Sequence, residues 1–142
     1  MRLLIIWFGA NDAAVPASVQ HVPLPQYIAN MKQLIQMIKN PESPYYAPHT
    51  QIIIITPPPV NEIQRTVFLA GQKPPLELDR GFELTKSYAA AAKKTGEEAG
   101  LGVADVWTKI WDRAGHKESA LDKYLSDGLH LTKDGYEVGN LS

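Results

Sequence analysis

Apolar residues along the chain fall into two patterns, and each predicts a different element. The stretch from Leu3 to Phe8 and residues 51–56, with the core Ile52-Ile53-Ile54-Ile55, are short unbroken runs rich in β-branched side chains. Such runs predict strands buried on both faces, as in a parallel sheet. From Pro25 the apolar positions Ile28, Met31, Leu34, Ile35 and Ile38 recur at helical spacing until Asn40-Pro41. A helix with proline in its first turn is expected there. A second helix is expected over residues 80–99, with Leu84, Tyr88, Ala91, Ala92 and Thr95 facing inward and Gly100 and Gly102 at its exit.

Between these helices, from Pro57-Pro58-Pro59 to residue 78, the prolines and Gly71-Gln72-Lys73-Pro74-Pro75 predict irregular structure. Residues 102–106 give a third strand, and 107–113 and 119–125 short helical segments. Thr132 is expected to cap a last helix that starts at Lys133 and is cut short at Ser142. The order β-α-β-loop-α-β-α predicts an α/β fold, with helices on both faces of a parallel sheet and right-handed crossovers.

The length of 142 residues suits one domain, 1–142, able to bury its own core. The first apolar run stops at Gly9-Ala10-Asn11-Asp12, far short of the ~20 residues of a membrane span and without a small-residue cleavage site. A formal net charge of -1, with scattered Lys and Arg, offers no basic surface for nucleic acid. The absence of cysteine excludes a disulfide framework, a thiolate zinc site and a cysteine nucleophile. It agrees with a reducing compartment, and a cytoplasmic location is the expectation.

In parallel sheets ligands bind outside the carboxyl ends of the strands. Three segments qualify: Gly9-Ala10-Asn11-Asp12, Thr56-Pro57-Pro58-Pro59, and Ser126-Asp127-Gly128-Leu129-His130-Leu131. The spacing of Asp127 and His130 lets a carboxylate reach the imidazole Nδ1–H, leaving Nε2 as a general base. It equally suits an Asp that caps a turn beside a surface His; a metal pair lacks a third ligand nearby. Asn11 can offer its side-chain amide to a developing oxyanion, or Asn11-Asp12 can be a turn made tight by Gly9. Pro57 and Pro58 can wall a pocket or merely stop a strand. His21, His49 and His116 lie in predicted loops with no evident partner, and Trp7, Trp107 and Trp111 are assigned to packing.

Taken together and in this order, Gly9-Ala10-Asn11-Asp12 and Asp127-Gly128-Leu129-His130 resemble the third and fifth conserved blocks of the SGNH (GDSL-type) hydrolases. Ile6-Trp7-Phe8-Gly9-Ala10-Asn11-Asp12-Ala13, Val22-Pro23-Leu24-Pro25 and Thr56-Pro57-Pro58-Pro59 look like the isoamyl acetate-hydrolysing esterase branch. The resemblance implies a flavodoxin-like three-layer α/β/α fold and a Ser-His-Asp triad that cleaves small acetate-type esters without metal or cofactor. It implies that His130 is the general base, Asp127 its orienting carboxylate and Asn11 an oxyanion donor, with Gly9 and Asp12 supporting the Asn11 loop and Pro57 and Pro58 at the pocket.

The family's Gly-Asp-Ser nucleophile block does not occur in the sequence, nor does a Gly-x-Ser-x-Gly elbow. The expectation is therefore an incomplete, N-terminally truncated domain, inactive alone; a non-catalytic binding module derived from an esterase fold is the alternative. In the flavodoxin-like strand order 2-1-3-4-5 the strand from Leu3 to Phe8 would be the third, next to a missing first strand. Its bare apolar edge predicts a homodimer or aggregation through that strand.

Overall fold

Four consecutive isoleucines form most of the central strand, β2 (Gln51–Ile55), flanked in parallel by β1 (Leu3–Ile6) and β3 (Gly102–Ala104). The structure, a computed structural model, describes residues 2–139. Ile6 pairs with Ile54 and Ile54 with Val103, so the carboxyl ends of all three strands open onto one edge.

Alternation along β2 divides the core. Ile52 and Ile54 face α1 (Leu24–Lys39) and α3 (Phe82–Glu98), packing with Ile6, Tyr27, Met31, Ile35, Tyr88 and Ala92. Gly96 lets α3 lie close on the sheet: a Cβ there would sit 2.6 Å from Val103 Cγ2. Ile55 joins the opposite cluster with Ala104, Val106, Ile110, Leu121 and Leu125. That cluster is built on α4 (Val106–Arg113) and a 3-10 helix over Glu118–Lys123, beside α5 (Lys133–Gly139). The fold is thus α/β with helices on both faces of a parallel sheet, and no described helix is long and apolar enough to cross a membrane.

Four expectations need correction. A helix, α2 (Glu62–Ala70), occupies part of the stretch expected to be irregular; Asn61 caps it by accepting a hydrogen bond from the Gln64 N–H at 3.1 Å. Its buried residues are Arg65 and Leu69, while Ile63 and Val67 are exposed. The apolar stripe that would announce a helix therefore faces away from the core. β1 ends at Ile6, and Leu3 and Ile5 are 46% and 49% exposed, because α1 and α3 cover one face of this strand and leave the other open. β3 is shorter than expected, since Asp105 turns the chain into α4 by accepting from the Thr108 N–H. Trp7 is exposed beyond the end of β1 instead of lying in the core.

The remaining elements agree closely with the sequence. Thr132 Oγ1 accepts from the Gly135 N–H at 3.2 Å at the start of α5; the expected cut at Ser142 lies outside the described residues. Deleting the fully buried side chain at the centre of the sheet, Ile54→Ala, is expected to lower unfolding free energy by roughly 2–5 kcal/mol. Val67→Ala, at a position 71% exposed, should change it by no more than about 0.5 kcal/mol. Urea melts of the two variants check both, and equal losses would contradict this account of the core.

Candidate active site

Past Ile6 the chain leaves the sheet and turns sharply. The Trp7 Nε1–H donates to the Thr56 carbonyl at 3.2 Å, and the Tyr27 hydroxyl donates to the Phe8 carbonyl at 3.0 Å. Gly9 has φ +119°, and a Cβ there would lie 2.9 Å from Tyr27 Oη and 3.1 Å from Pro57 Cγ. Both conformation and space demand glycine. The turn closes with the Ala13 N–H on the Gly9 carbonyl and the Ala14 N–H on the Asn11 carbonyl, at 2.9 and 3.0 Å. Asp12 braces it through its carbonyl, which accepts from the Val22 N–H at 3.1 Å.

The second loop is built around the Asp127 carboxylate. Oδ1 accepts from the backbone N–H groups of Leu129 and His130, at 3.0 and 2.8 Å, and Oδ2 lies 2.8 Å from His130 Nδ1. Gly128, at φ +82°, passes so close to the start of α2 that a Cβ would come within 2.6 Å of the Arg65 nitrogen and the Asn61 oxygen. Asp127 is buried, whereas the His130 side chain is 73% exposed. With Nδ1 engaged, Nε2 is the ring atom able to take a proton.

The two loops face a cleft of about 350 Å³ whose walls include Trp7, Phe8, Pro58, Leu129, Leu131 and Tyr136. Gly9, Asn11, Asp12, Pro58 and His130 all line it. Asp127 stands behind His130, and Pro57 packs under Gly9 instead of lining the cleft. Trp7 and Tyr136 meet edge to face across 6.3 Å. Among the described residues no serine or threonine lines the cleft, and the Ser126 hydroxyl donates to the His130 carbonyl at 3.2 Å, not to its ring. A larger hollow of about 590 Å³ is lined by Lys109, Arg113, Lys123, Asp134 and Glu137, apart from every candidate residue. No group of His, Cys, Asp or Glu among the described residues is arranged to hold a metal ion.

Sequence reasoning missed the side chains behind the two loops: Arg65, Asp79 and Arg80. They are separated in sequence and form no motif; charged residues flanking a proline-rich stretch carry no sign of burial. The expectation of partnerless histidines also fails for two. His21 Nδ1 lies 2.7 Å from the Ala14 carbonyl, and His116 Nε2 lies 2.7 Å from Asp112. The electrostatics favour charge. Burial pushes the Asp127 carboxyl up, but the His130 N–H, the His130 ring and the Leu129 N–H together hold it below the usual carboxylate range. Asp79 is held low above all by the Arg65 guanidinium, against the effect of burial.

Comparison with known proteins gives one consistent result. The profile of the GDSL-like lipase/acylhydrolase family matches residues 2–138. A GDSL esterase/lipase of Arabidopsis thaliana is 37% identical over 139 residues, covering 94% of this chain and 54% of its own length. An isoamyl acetate-hydrolyzing esterase 1 homolog of Homo sapiens is 35% identical over 136 residues, covering 93% and 50%. The chain thus spans about half the length of these relatives. Among solved structures, an acetyl xylan esterase from Geobacillus stearothermophilus aligns with TM-score 0.64 at 18% identity, over 96% of this chain and 55% of that one. A lipase/acylhydrolase from Enterococcus faecalis aligns with TM-score 0.60 at 24% identity, over 94% and 54%.

Because the folded chain holds the Asp79 and Asp127 carboxyls low, the unfolded chain takes up protons at higher pH than the fold does. Their stabilisation is complete above the unfolded carboxylate value of about 3.9 and is lost as pH falls below it. The melting temperature should therefore hold from pH 7 to about 5 and drop below about 4. Asp79→Asn should lower it at pH 7 and flatten the acid limb. Thermal melts across this range provide the check, and an acid limb equally steep in Asp79→Asn would contradict it.

Proposed function

The chain belongs to the GDSL-like lipase/acylhydrolase family, and on that premise we propose that it carries the acid–base and part of the oxyanion machinery of a carboxylic ester hydrolase acting on small acetate-type esters. The observation behind this reading is the Asp127–His130 pair at 2.8 Å, on a cleft that also holds Asn11. His130 Nε2 takes the proton of a serine hydroxyl as that oxygen attacks the ester carbonyl, and Asp127 stabilises the imidazolium. Asn11 Nδ2–H donates to the oxyanion. Collapse breaks the ester C–O bond, His130 protonates the departing alkoxide, and water then hydrolyses the acyl-enzyme by the same proton route. Asp12 and Gly9 support the Asn11 turn, and Pro58, backed by Pro57, walls the pocket. The aromatic and leucine walls suit a short apolar acyl or alcohol group, and no metal or cofactor takes part.

The serine of this reading comes from a Gly-Asp-Ser block that the 142 residues do not contain, and the chain alone is inactive. A second reading, a non-catalytic binding module, draws on the lack of any serine or threonine along the cleft among the described residues. Association through β1 belongs to the same proposal. Among the described residues β1 pairs only with β2, and Leu3 and Ile5 are exposed on its open face, so the free edge suits pairing with another chain. A cytoplasmic location accords with the cysteine-free sequence.

Turnover of a chromogenic acetate ester tests the chemistry. The chain alone should show none above buffer. Joined to a family N-terminal segment that carries Gly-Asp-Ser, it should turn over; Asn11→Ala should then cost roughly 3 kcal/mol of transition-state stabilisation, and His130→Ala orders of magnitude in kcat. A joined form that binds acetate but never turns over would favour the binding module. Light scattering after size exclusion tests the edge. A dimer or larger species is expected, and a clean monomer with a cooperative melt would exclude association through β1.

A further inference from the structure

Behind Asn11, Asp127 and His130 lies a run of charged side chains to which the ester chemistry assigns no role. Arg80 is 1% exposed and Arg65 7%. All three nitrogens of the Arg80 guanidinium donate hydrogen bonds. Nε donates to the Ala10 carbonyl at 2.9 Å; Nη1 donates to the Asp79 carbonyl at 3.0 Å and lies 3.1 Å from Asp79 Oδ2 as an ion pair. Nη2 donates to Gln20 Oε1 at 2.8 Å and to Asn11 Oδ1 at 3.3 Å. A planar fork engaged at all three of its nitrogens fixes both the position and the rotation of the group.

The run continues without a break to the other loop. Asp79 Oδ1 and Oδ2 accept from Arg65 Nε and Nη2 at 2.9 and 2.8 Å, a bidentate pair. The remaining Arg65 nitrogen, Nη1, donates to Asp127 Oδ2 at 3.1 Å, the oxygen that also faces His130 Nδ1. Asn11, Arg80, Asp79, Arg65, Asp127 and His130 therefore form one connected chain across the back of the cleft. Buried ion pairs stabilise little relative to apolar side chains of similar volume, so stability alone does not account for such an arrangement. Orientation does.

We propose that Arg80 is a positioning residue that sets the amide orientation of Asn11, holding Oδ1 toward the protein so that Nδ2–H is left for the cleft, with Asp79 and Arg65 tying this frame to Asp127. The reversed amide would point its N–H groups at a guanidinium that has only donors to offer. The esterase reading enters only through what Asn11 then donates to; the orientation of the amide stands apart from it.

The test uses the full chain labelled with 15N, with the side-chain amide signals of Asn11 assigned by their loss in Asn11→Ala. Two quantities are read: the order parameter of that NH2 group, and its shift on titration with sodium acetate. In the unsubstituted chain the group should be rigid, near about 0.85, and in Arg80→Lys it should fall below about 0.6. The acetate-induced shift should fall severalfold while the backbone spectrum stays folded. An Asn11 amide that keeps its rigidity in folded Arg80→Lys overturns the inference. If Arg80→Lys does not fold, Gln20→Glu at the exposed end of the fork replaces it: a carboxylate there draws Nη2 away from Asn11, and an unchanged Asn11 amide again overturns the inference. A rigid Asn11 that Arg80→Lys loosens, but that acetate leaves unmoved, upholds the positioning role and counts against the esterase reading. An acetate shift of equal size in both chains, with the amide rigid in both, does the reverse.

Discussion

Two arginines enclose the Asp79 carboxylate, and the arrangement of both candidate loops depends on that enclosure. A buried charge has to be met by an opposite charge and by hydrogen bonds, or the group is neutralised or drawn to the surface. The buried guanidinium groups of Arg65, on α2, and Arg80 meet the demand at the half-buried Asp79 carboxylate. Each arginine then has donors left over, and these reach Asp127 on one side and the Ala10–Asn11 turn on the other. The Asp79–Arg80 segment is fixed in turn by the chain after β1, through the Val15 N–H on the Asp79 carbonyl at 2.9 Å and the bridge between Ala14 and Arg80. An irregular segment between two helices thereby becomes the part on which the two candidate loops are aligned.

Where burial is decided by local pattern, the sequence carries the structure in plain view. Ile52, Ile54 and Ile55 of β2, Met31 and Ile35 of α1, and the Tyr88, Ala92 and Thr95 face of α3 are all buried as their pattern requires. The turn chemistry of Gly9 and the Asp127–His130 spacing were equally legible, because each is contained within a few residues. α2 was not. Its inward residues are an arginine and a leucine, its exposed ones an isoleucine and a valine, so the usual amphipathic signal points the wrong way. The Arg65–Asp79–Arg80 cluster escaped for a related reason: the burial of a charge is a tertiary fact, decided by partners distant in sequence. β1 also reads as a strand buried on both faces, yet its exposure depends on what lies beside it in space.

Two glycines show how the cleft is held to close tolerance. At Gly9 the chain crosses the Tyr27 hydroxyl and the Pro57 ring, and at Gly128 it crosses the first turn of α2, in both cases nearer than any side chain permits. One glycine brings Asn11 to the carboxyl edge of the sheet, and the other presses the Asp127 loop against Arg65. The same close approach allows the two loops to share a single cleft instead of forming separate surface turns.

The edge-to-face contact of Trp7 with Tyr136 carries a consequence for the order of events during synthesis. One ring follows the first strand and the other lies on the last described helix, so the cleft wall joins residues from opposite ends of the chain. Contacts this far apart in sequence form only after the intervening chain has emerged and its loop closure has been compensated. A polypeptide still emerging from the ribosome can complete α1, β2 and α3 and bury their shared core, yet it has no cleft. The cleft is therefore completed late and all at once, after the scaffold beneath it has already folded.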